Sequence, residues 1–306
     1  DGVITDMQYD RQMLHDGYYN NILANLNVND IESVTVLKNG TALYGAKAAG
    51  GVLLIKTKRN KSMATKIDVT INGQYQFTPH LPKMMGADDY RLYATEMRSG
   101  LTANVQNLEF VNSDPSNFYY NTYHNNTDWT GEVYHQTFVS NYGINVQGGD
   151  DVANYNLSVG YSLGDATLRG NDFSRFNMRL NTDINVIRHL DVRFDAAYSD
   201  VNRDLRDDGA KEDLSAGTIT APGFLSLVKS PFLAPYAFDI YGNPSHYLAD
   251  ADSYVSKVFE ADGEIYANAV RLANPLGILQ LGDGKNRNQR SEERRVGKEC
   301  RSRWSP

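Results

Sequence analysis

The residues that could carry reaction chemistry do not gather into a reactive set. Six histidines stand at 15, 80, 124, 135, 189 and 246, and no two have the HxxxH or HExxH spacing that places imidazoles on one metal. The acidic stretches Asp207–Asp213 and Asp250–Ser253 do not follow the order of a Ca²⁺ loop and read as solvated loops. Cys300 is the single cysteine. There is no P-loop and no dinucleotide fingerprint. The expectation is a protein that is not an enzyme, with no catalytic residue, metal site or cofactor. What remains is recognition chemistry, in two places. Arg175, Arg179, Asp183, Asp191, Arg193 and Asp195 recur at every second or fourth position among apolar residues. Such charges could line a path for a polar cargo, or pair with one another and with whatever fills the space they face, since buried charges need partners. The run Asn117–Tyr134, "NFYYNTYHNNTDWTGEVY", interleaves aromatics with amides. Tyr119, Tyr120, Tyr123 and Trp129 could stack on ligand rings, or anchor a loop through aromatics at a wet interface. The sequons at Asn125 and Asn156 read as chance, the second because it falls inside a strand pattern.

These side chains must be positioned by long strands. From Ile67 to Phe77 the odd positions are Ile, Val, Ile, Gly, Tyr and Phe, and the even ones Asp, Thr, Asn, Gln and Gln. The same period of two recurs over 141–147, 154–162, 175–186 and 190–199. Soluble strands usually run to about 5–6 residues, whereas a tilted membrane strand needs about 9–11. Ile67–Phe77 and Arg175–Val186 reach that length, and one face of the latter carries full charges. A wall with lipid on one side and a polar lumen on the other predicts this split. Tyr75, Phe77, Tyr161 and Tyr198 suit aromatic girdles. A soluble antiparallel sheet with one wet face gives the same alternation, so a β-sandwich binding or adhesion module stays open. The connections at 148–151 and 187–189 are tight, whereas 163–171 is moderate and 78–137 and 200–270 are long, which puts all tight turns on one rim. Asp88–Gly100 reads as a short loop helix with Asp88 as its cap, either packed within the loop or open to a partner.

The chain has 306 residues at net charge −7, with 41% hydrophobic and 22% charged residues. That is not a disordered composition. No run approaches the ~18 apolar residues of a spanning helix, and the acidic balance argues against nucleic acid. The chain opens on Asp1-Gly2-Val3 without an initiator Met and is expected to be part of a longer protein, so a missing signal peptide is no evidence for the cytoplasm. At the other end, Arg290–Pro306 ("RSEERRVGKECRSRWSP") has no apolar period and resembles the translation of a sequencing adapter. Set aside as such, it leaves 24 basic and 34 acidic residues, net −10, and no cysteine. The alternative is a genuine basic tail.

Before the strands comes "NDIESVTVLKNGTALYGAKAAGGVLLIKTKR", Asn29–Arg59. Asn29 is expected to cap a helical turn with Glu32 at the capping-box position. Asn39-Gly40 reads as a tight turn with positive φ, and Val52–Ile55 as a strand covered on both faces. Lys56–Lys61 reads as a linker.

This block resembles the end of the plug in TonB-dependent outer-membrane transporters of the SusC/RagA type, through Asp30, Ile31, Glu32, Ser33, Leu37, Lys38, Tyr44, Gly45, Ala48, Ala49, Gly51, Val52, Thr57 and Lys58. "LPKMMGADDYRLYATEM", "NTDW", "FSRFNMRLNTDINV" and "NPLGIL" extend the resemblance to about residue 280. The loop between Lys38 and Tyr44 is shorter than usual, and Lys47 stands where the family more often has Arg. The plug residues singled out are Asp30, Glu32, Lys38, Gly40, Tyr44, Gly45, Gly50 and Gly51. The lumen charges are Arg175, Arg179, Asp183, Arg193 and Asp195.

The resemblance implies a mainly β fold, a transmembrane antiparallel β-barrel. It is incomplete here, with about five N-terminal strands preceded by part of an α/β plug. The implied division is 1–60 as plug, 61–289 as barrel with extracellular loops 78–137 and 200–270, and 290–306 as artefact. The implied function is active import of oligosaccharides or peptides across a Bacteroidetes-like Gram-negative outer membrane. Its partners would be TonB, through a TonB box before Asp1, a SusD-like surface lipoprotein and membrane lipid, with no nucleic acid. A TonB-dependent receptor for siderophores or vitamins is the alternative.

Overall fold

The computed structural model describes residues 13–15, 18–19, 21–60, 63–99, 109–111, 113–187, 190–207, 220–249, 258–260, 263–265 and 272–299. The strands that alternate in sequence form one sheet. β1 (Met13–His15) and β2 (Tyr18–Tyr19) are a small pair, and β3 (Ile31–Leu37) and β4 (Val52–Thr57) form a hairpin. β5 (Lys66–Gln76), β6 (Thr137–Gly149), β7 (Ala153–Asp165), β8 (Asp172–Ile187) and β9 (Leu190–Asp204) then pair antiparallel in chain order. Hairpins β10 (Tyr236–Phe238) with β11 (Pro244–Leu248), and β12 (Val258–Glu260) with β13 (Gly263–Ile265), lie in the last long loop. β14 (Lys285–Glu299) joins the far side of β9, giving a six-stranded sheet with β5 and β14 as its edges.

Register decides the faces. Ile144 pairs with Val69 on one side and Val159 on the other, Val159 with Met178, and Met178 with Tyr198. Directly paired residues point the same way, so these apolar side chains share one face. It is open: Ile71 is 71% exposed, and Ile67, Val69, Ile144, Tyr161 and Met178 are exposed with it. The opposite face carries Asn156, Ser158, Ser162, Asn177, Asn181, Asp195 and Ser199, all buried. A β-sandwich would cover the apolar face with a second sheet. No second sheet covers it among the described residues, so the sandwich expectation lacks its other layer.

The rims are asymmetric. β6 and β7 are joined through 150–152, where Asp150 Oδ1 accepts from the Val152 and Ala153 amides. The β8–β9 turn at Arg188 and His189 lies outside the described residues, though Ile187 pairs with Leu190. All longer connections leave from the other rim, where they pack together. The first long loop carries α1's successors: after α1 (Thr41–Tyr44) in the β3–β4 connection come α2 (Ala87–Ser99), α3 (Tyr120–Tyr123) and α4 (Trp129–Val133). The second long loop carries α5 (Pro222–Val228) and α6 (Pro275–Leu281). Ala87 and Trp129 pack on Phe232 and Leu233, and Val133 and Leu168 on Leu276 and Leu279. Each core draws residues from different loops, so the loops form one layer. Its caps are reciprocal. Asn126 Oδ1, not Asp88, accepts the first amide of α2, from Ala87 at 2.9 Å. Asn274 caps α6 and donates to Pro235 and Ala249 carbonyls.

Three further sequence expectations need correction. The helical turn before β3 is Val28–Asp30, capped by Asn27 rather than Asn29; Glu32 instead pairs with Lys56 across the hairpin at 2.9 Å. Gly40 has φ −112°, so Asn39-Gly40 is not a positive-φ turn. Glycine is needed there because a Cβ would meet Val52 Cγ2 at 2.5 Å. β4 is not covered on both faces: Leu53 and Leu54 are exposed, as are Val34 and Val36 opposite. Arg290–Glu299, which resemble a translated adapter, nevertheless pair with β9 from Ser199 to Leu190. A sheet edge offers unpaired amides and carbonyls to any chain without proline, and the ladder itself is blind to side chains.

No helix among the described residues is long and apolar enough to cross a membrane. An open six-stranded sheet with one bare apolar face and two free edges is not a water-soluble unit. Expressed alone in aqueous buffer, the 306-residue chain should aggregate and should disperse only with detergent, as read by size-exclusion chromatography. A monodisperse soluble monomer that melts cooperatively would contradict this.

Candidate functional site

The polar face of the sheet holds the N-terminal unit, and it does so through hydrogen bonds. The polar residues of β7 and β8 point inward because of the two-residue period. Opposite them lie two short stretches, Asn25–Asp30 and Lys58–Arg59. Asn177 Nδ2 donates to the Asn25 carbonyl at 2.8 Å, and Arg175 to the Leu26 carbonyl at 3.3 Å and to Ser162 Oγ at 3.2 Å. Asn156 and Asn181 both donate to the Lys58 carbonyl, at 3.0 and 2.9 Å. Asn145 in turn donates to Asn156 Oδ1. A close approach of this kind needs room. Gly143 and Gly160 are paired across β6 and β7, and a Cβ on Gly160 would lie 2.7 Å from Asn27 Nδ2.

Two charged groups anchor the contact. Asp30 is 7% exposed, accepts from Ser158 Oγ and lies 3.9 Å from Arg179 Nε. Burial pushes its carboxyl above the ordinary value, opposed by the Ser158 hydrogen bond and by Arg179, Lys58 and Arg175. Arg59 donates to Asp183 at 2.9 Å and to both oxygens of Asp195. Arg193 lies 3.4 Å from Asp183 on the more open side. All five lumen charges named from sequence thus lie on the polar face, and Arg175, Arg179, Asp183 and Asp195 reach the N-terminal unit. Asp191 is exposed. Arg59, Asn156, Ser158, Asn177, Asn181 and the glycine pair were missed. Arg59 was hidden in what read as a linker. The amides were legible only as the polar half of an alternation, without indication of what they face.

The plug residues other than Asp30 lie in the β3–β4 hairpin, Glu32 through its ion pair with Lys56. Gly45 and Gly51 have φ of 74° and 106°, the left-handed region where a side chain is strained. A Cβ on Gly51 would also press on the Leu37 carbonyl. Nothing crowds Gly50, and Lys38 and Tyr44 are exposed.

Among the loop aromatics, Trp129 is 3% exposed and donates to the Ser230 carbonyl. It packs within the loop core, and its ring is not open to a ligand. Tyr123 packs on Phe232, Tyr120 stacks on His124 with centroids 4.0 Å apart, and Tyr119 is exposed. Lys229 places its ammonium 5.6 Å over the Trp129 ring and donates to the Leu272 and Ala273 carbonyls. Burial lowers its pKa from 10.5 to about 8.

Comparison with known proteins agrees with this geometry. The TonB-dependent Receptor Plug Domain family matches residues 1–52. The TonB-dependent receptor SusC of Bacteroides thetaiotaomicron is 26% identical over 196 residues, 62% of this chain and 18% of its own length. The TonB-dependent receptor P26 of Formosa agariphila is 28% identical over 186 residues, 59% of this chain and 18% of its own. The chain therefore spans less than a fifth of these curated relatives. In structure it is similar to the RagAB peptide transporter, with a TM-score of 0.62 at 22% identity over 94% of this chain and 32% of that one. It is also similar to the RagAB peptide importer in the 'open-open' state, with a TM-score of 0.57 at 25% identity over 85% and 29%.

Three outcomes follow. Removing one partner of a buried ion pair leaves the other charge stranded, so Arg59→Met should lower the melting stability of the detergent-solubilised protein by about 3 kcal/mol. Combined with Asp195→Asn, the loss should be clearly less than additive. Gly160→Leu should drive Asn27 off the wall and expose the Asn25–Asp30 stretch to proteolysis. For Lys229, the folded state gives up its proton near pH 8 and the unfolded state near 10.5. The burial penalty is therefore fully present below pH 8 and is relieved as pH climbs from 8 to 10.5, by at most roughly 3 kcal/mol. Melting of the loop layer should rise over that range relative to a Lys229→Met variant measured alongside it.

Proposed function

Since the chain belongs to the SusC/RagA-type TonB-dependent transporters of the Gram-negative outer membrane, we propose that it supplies the end of the plug and the first wall strands of an importer for oligosaccharides or peptides. Membership of a transporter family, and not of an enzyme family, fits the lack of a reactive constellation in the sequence. The division we propose is 1–60 for the plug and 61–289 for the wall, with 78–137 and 200–270 as extracellular loops. TonB and a SusD-like lipoprotein are the proposed partners.

The observation that carries the reading is the two-sidedness of the sheet. One face is bare and apolar; the other is polar and holds the N-terminal unit by hydrogen bonds and ion pairs. Lipid outside and a plugged lumen inside call for that arrangement. The contact suits a plug that must be held and yet released. Hydrogen bonds between protein groups exchange for bonds to water at a net cost of only about 0.5–1.5 kcal/mol each. Asn25 Oδ1, Asn181 Oδ1 and Ser199 Oγ are buried there without a hydrogen-bond partner, which weakens the hold further.

The lipid-facing reading also bears on the tail. Within β14, Glu293 stands opposite Ala196, on the apolar face and below the level of Tyr198. Asp200 and Arg287 pair above it at 2.6 Å, on the loop side. A native wall strand would not set a carboxylate against hydrocarbon there. This supports the proposal that residues 290–306 are no native part of the wall.

Cysteines placed singly at Leu157 and Leu180 should react with a membrane-partitioning label in the intact outer-membrane protein, while those at Asn156 and Arg179 should not. Equal labelling at all four positions would remove the wall from the membrane. Uptake of glycans and peptides by a deletion strain carrying the full-length gene, with and without TonB, tests import itself.

A further inference from the structure

A pocket of about 300 Å³ lies in the loop layer, between α3 and β10. Its walls include Phe118, Tyr119, Tyr123, Tyr236 and Phe238, with Phe118 85% exposed. No acidic side chain among the described residues lines it, and Lys229 stands in its wall. The residue is 7% exposed, yet no carboxylate among the described residues lies within ion-pair distance of its ammonium. Its partners are two carbonyls, at 3.1 and 3.2 Å, and the face of Trp129. An ammonium has three N–H donors, so among the described residues one donor and the charge are left without a partner. A buried cation in that state favours an anion beside it.

We propose that this pocket binds ligands that join an apolar body to a carboxylate, such as the hydrophobic C-terminal residue of a peptide. The assignment deepens the importer reading and rests on its placing the loop layer outside the cell. The aromatic walls take the apolar body and the Lys229 ammonium takes the carboxylate. A sugar is served less well. The lining offers few hydrogen-bonding side chains, chiefly Thr122 and tyrosine hydroxyls, against a ring of hydroxyl groups. The adjoining pocket of about 570 Å³ also touches Lys229, but Asp128 lines it and disfavours an anion there. Burial lowers the pKa of Lys229, and an anion in the pocket would restore its hold on the proton.

The test is calorimetric titration of the intact transporter carrying this sequence, in detergent at pH 7. The ligands are N-acetyl-phenylalanine, its carboxamide and a neutral disaccharide. The acid should bind at least tenfold more tightly than the amide, and the disaccharide more weakly than the acid. Lys229→Met should abolish the preference for acid over amide, and Lys229→Arg should keep part of it. Equal binding of acid and amide, no binding of either, tighter binding of the disaccharide, or a preference that survives Lys229→Met would each overturn the assignment. Should Lys229→Met fail to fold, the acid–amide comparison in the unaltered protein still decides. Binding in detergent does not depend on import. Loss of the preference therefore removes the pocket and leaves the transporter standing, whereas failed uptake with the preference intact does the reverse.

Discussion

A strand between two solvents must sort its side chains by parity, and everything else in this protein is arranged around that constraint. Hydrocarbon accepts no unpaired backbone polar group, so every amide and carbonyl of the wall must find a neighbouring strand. Once the strands pair in register, side chains alternate without choice. Val69, Ile144, Val159 and Met178 then form one row across four strands, facing outward. The polar residues between them are forced onto the other face, where they can bond only to water, to each other or to a second unit.

The second unit is bound by what parity left on that inner face. Its contact with the wall is made of main-chain carbonyls at Asn25, Leu26 and Lys58, and of two charged anchors, Asp30 and Arg59. It is not an interlocked apolar core. The difference bears on the proposed release of the plug. Tearing apart an apolar core exposes all of its surface to water at once, whereas polar contacts can be exchanged for water one at a time. The ion pairs at Arg59 set the position where the chain passes from the N-terminal unit into β5, and their burial makes that point harder to shift than its neighbours.

The loop layer follows a different rule. Lying beyond the rim, it is held by small apolar cores around Trp129 and Val133 and by hydrogen bonds that reach from one loop to the other. Trp129 donating to the Ser230 carbonyl and Asn125 donating to the Phe232 carbonyl are examples. The layer shapes an aromatic pocket and buries a lysine that has no counterion among the described residues.

The strands, their faces and the asymmetry of the rims are legible along the chain. Those depend on local period and on turn length, both of which can be counted. The charges of the polar face are legible too, because Arg175, Arg179, Asp183 and Asp195 interrupt an otherwise neutral alternation. What that face touches emerges only in the folded chain. Arg59 and Asp195 are 136 residues apart and Asp30 and Ser158 are 128 apart, and no short-range pattern encodes such a meeting. The same holds where local signals misled. Asn39-Gly40 has the composition of a turn, but Gly40 is required by Val52 twelve residues on. Trp129 has the composition of a ligand platform, but Phe232 and Leu233 from the other loop cover it. Composition fixes what a residue is able to do, and its distant neighbours fix which of those things the solvent still allows.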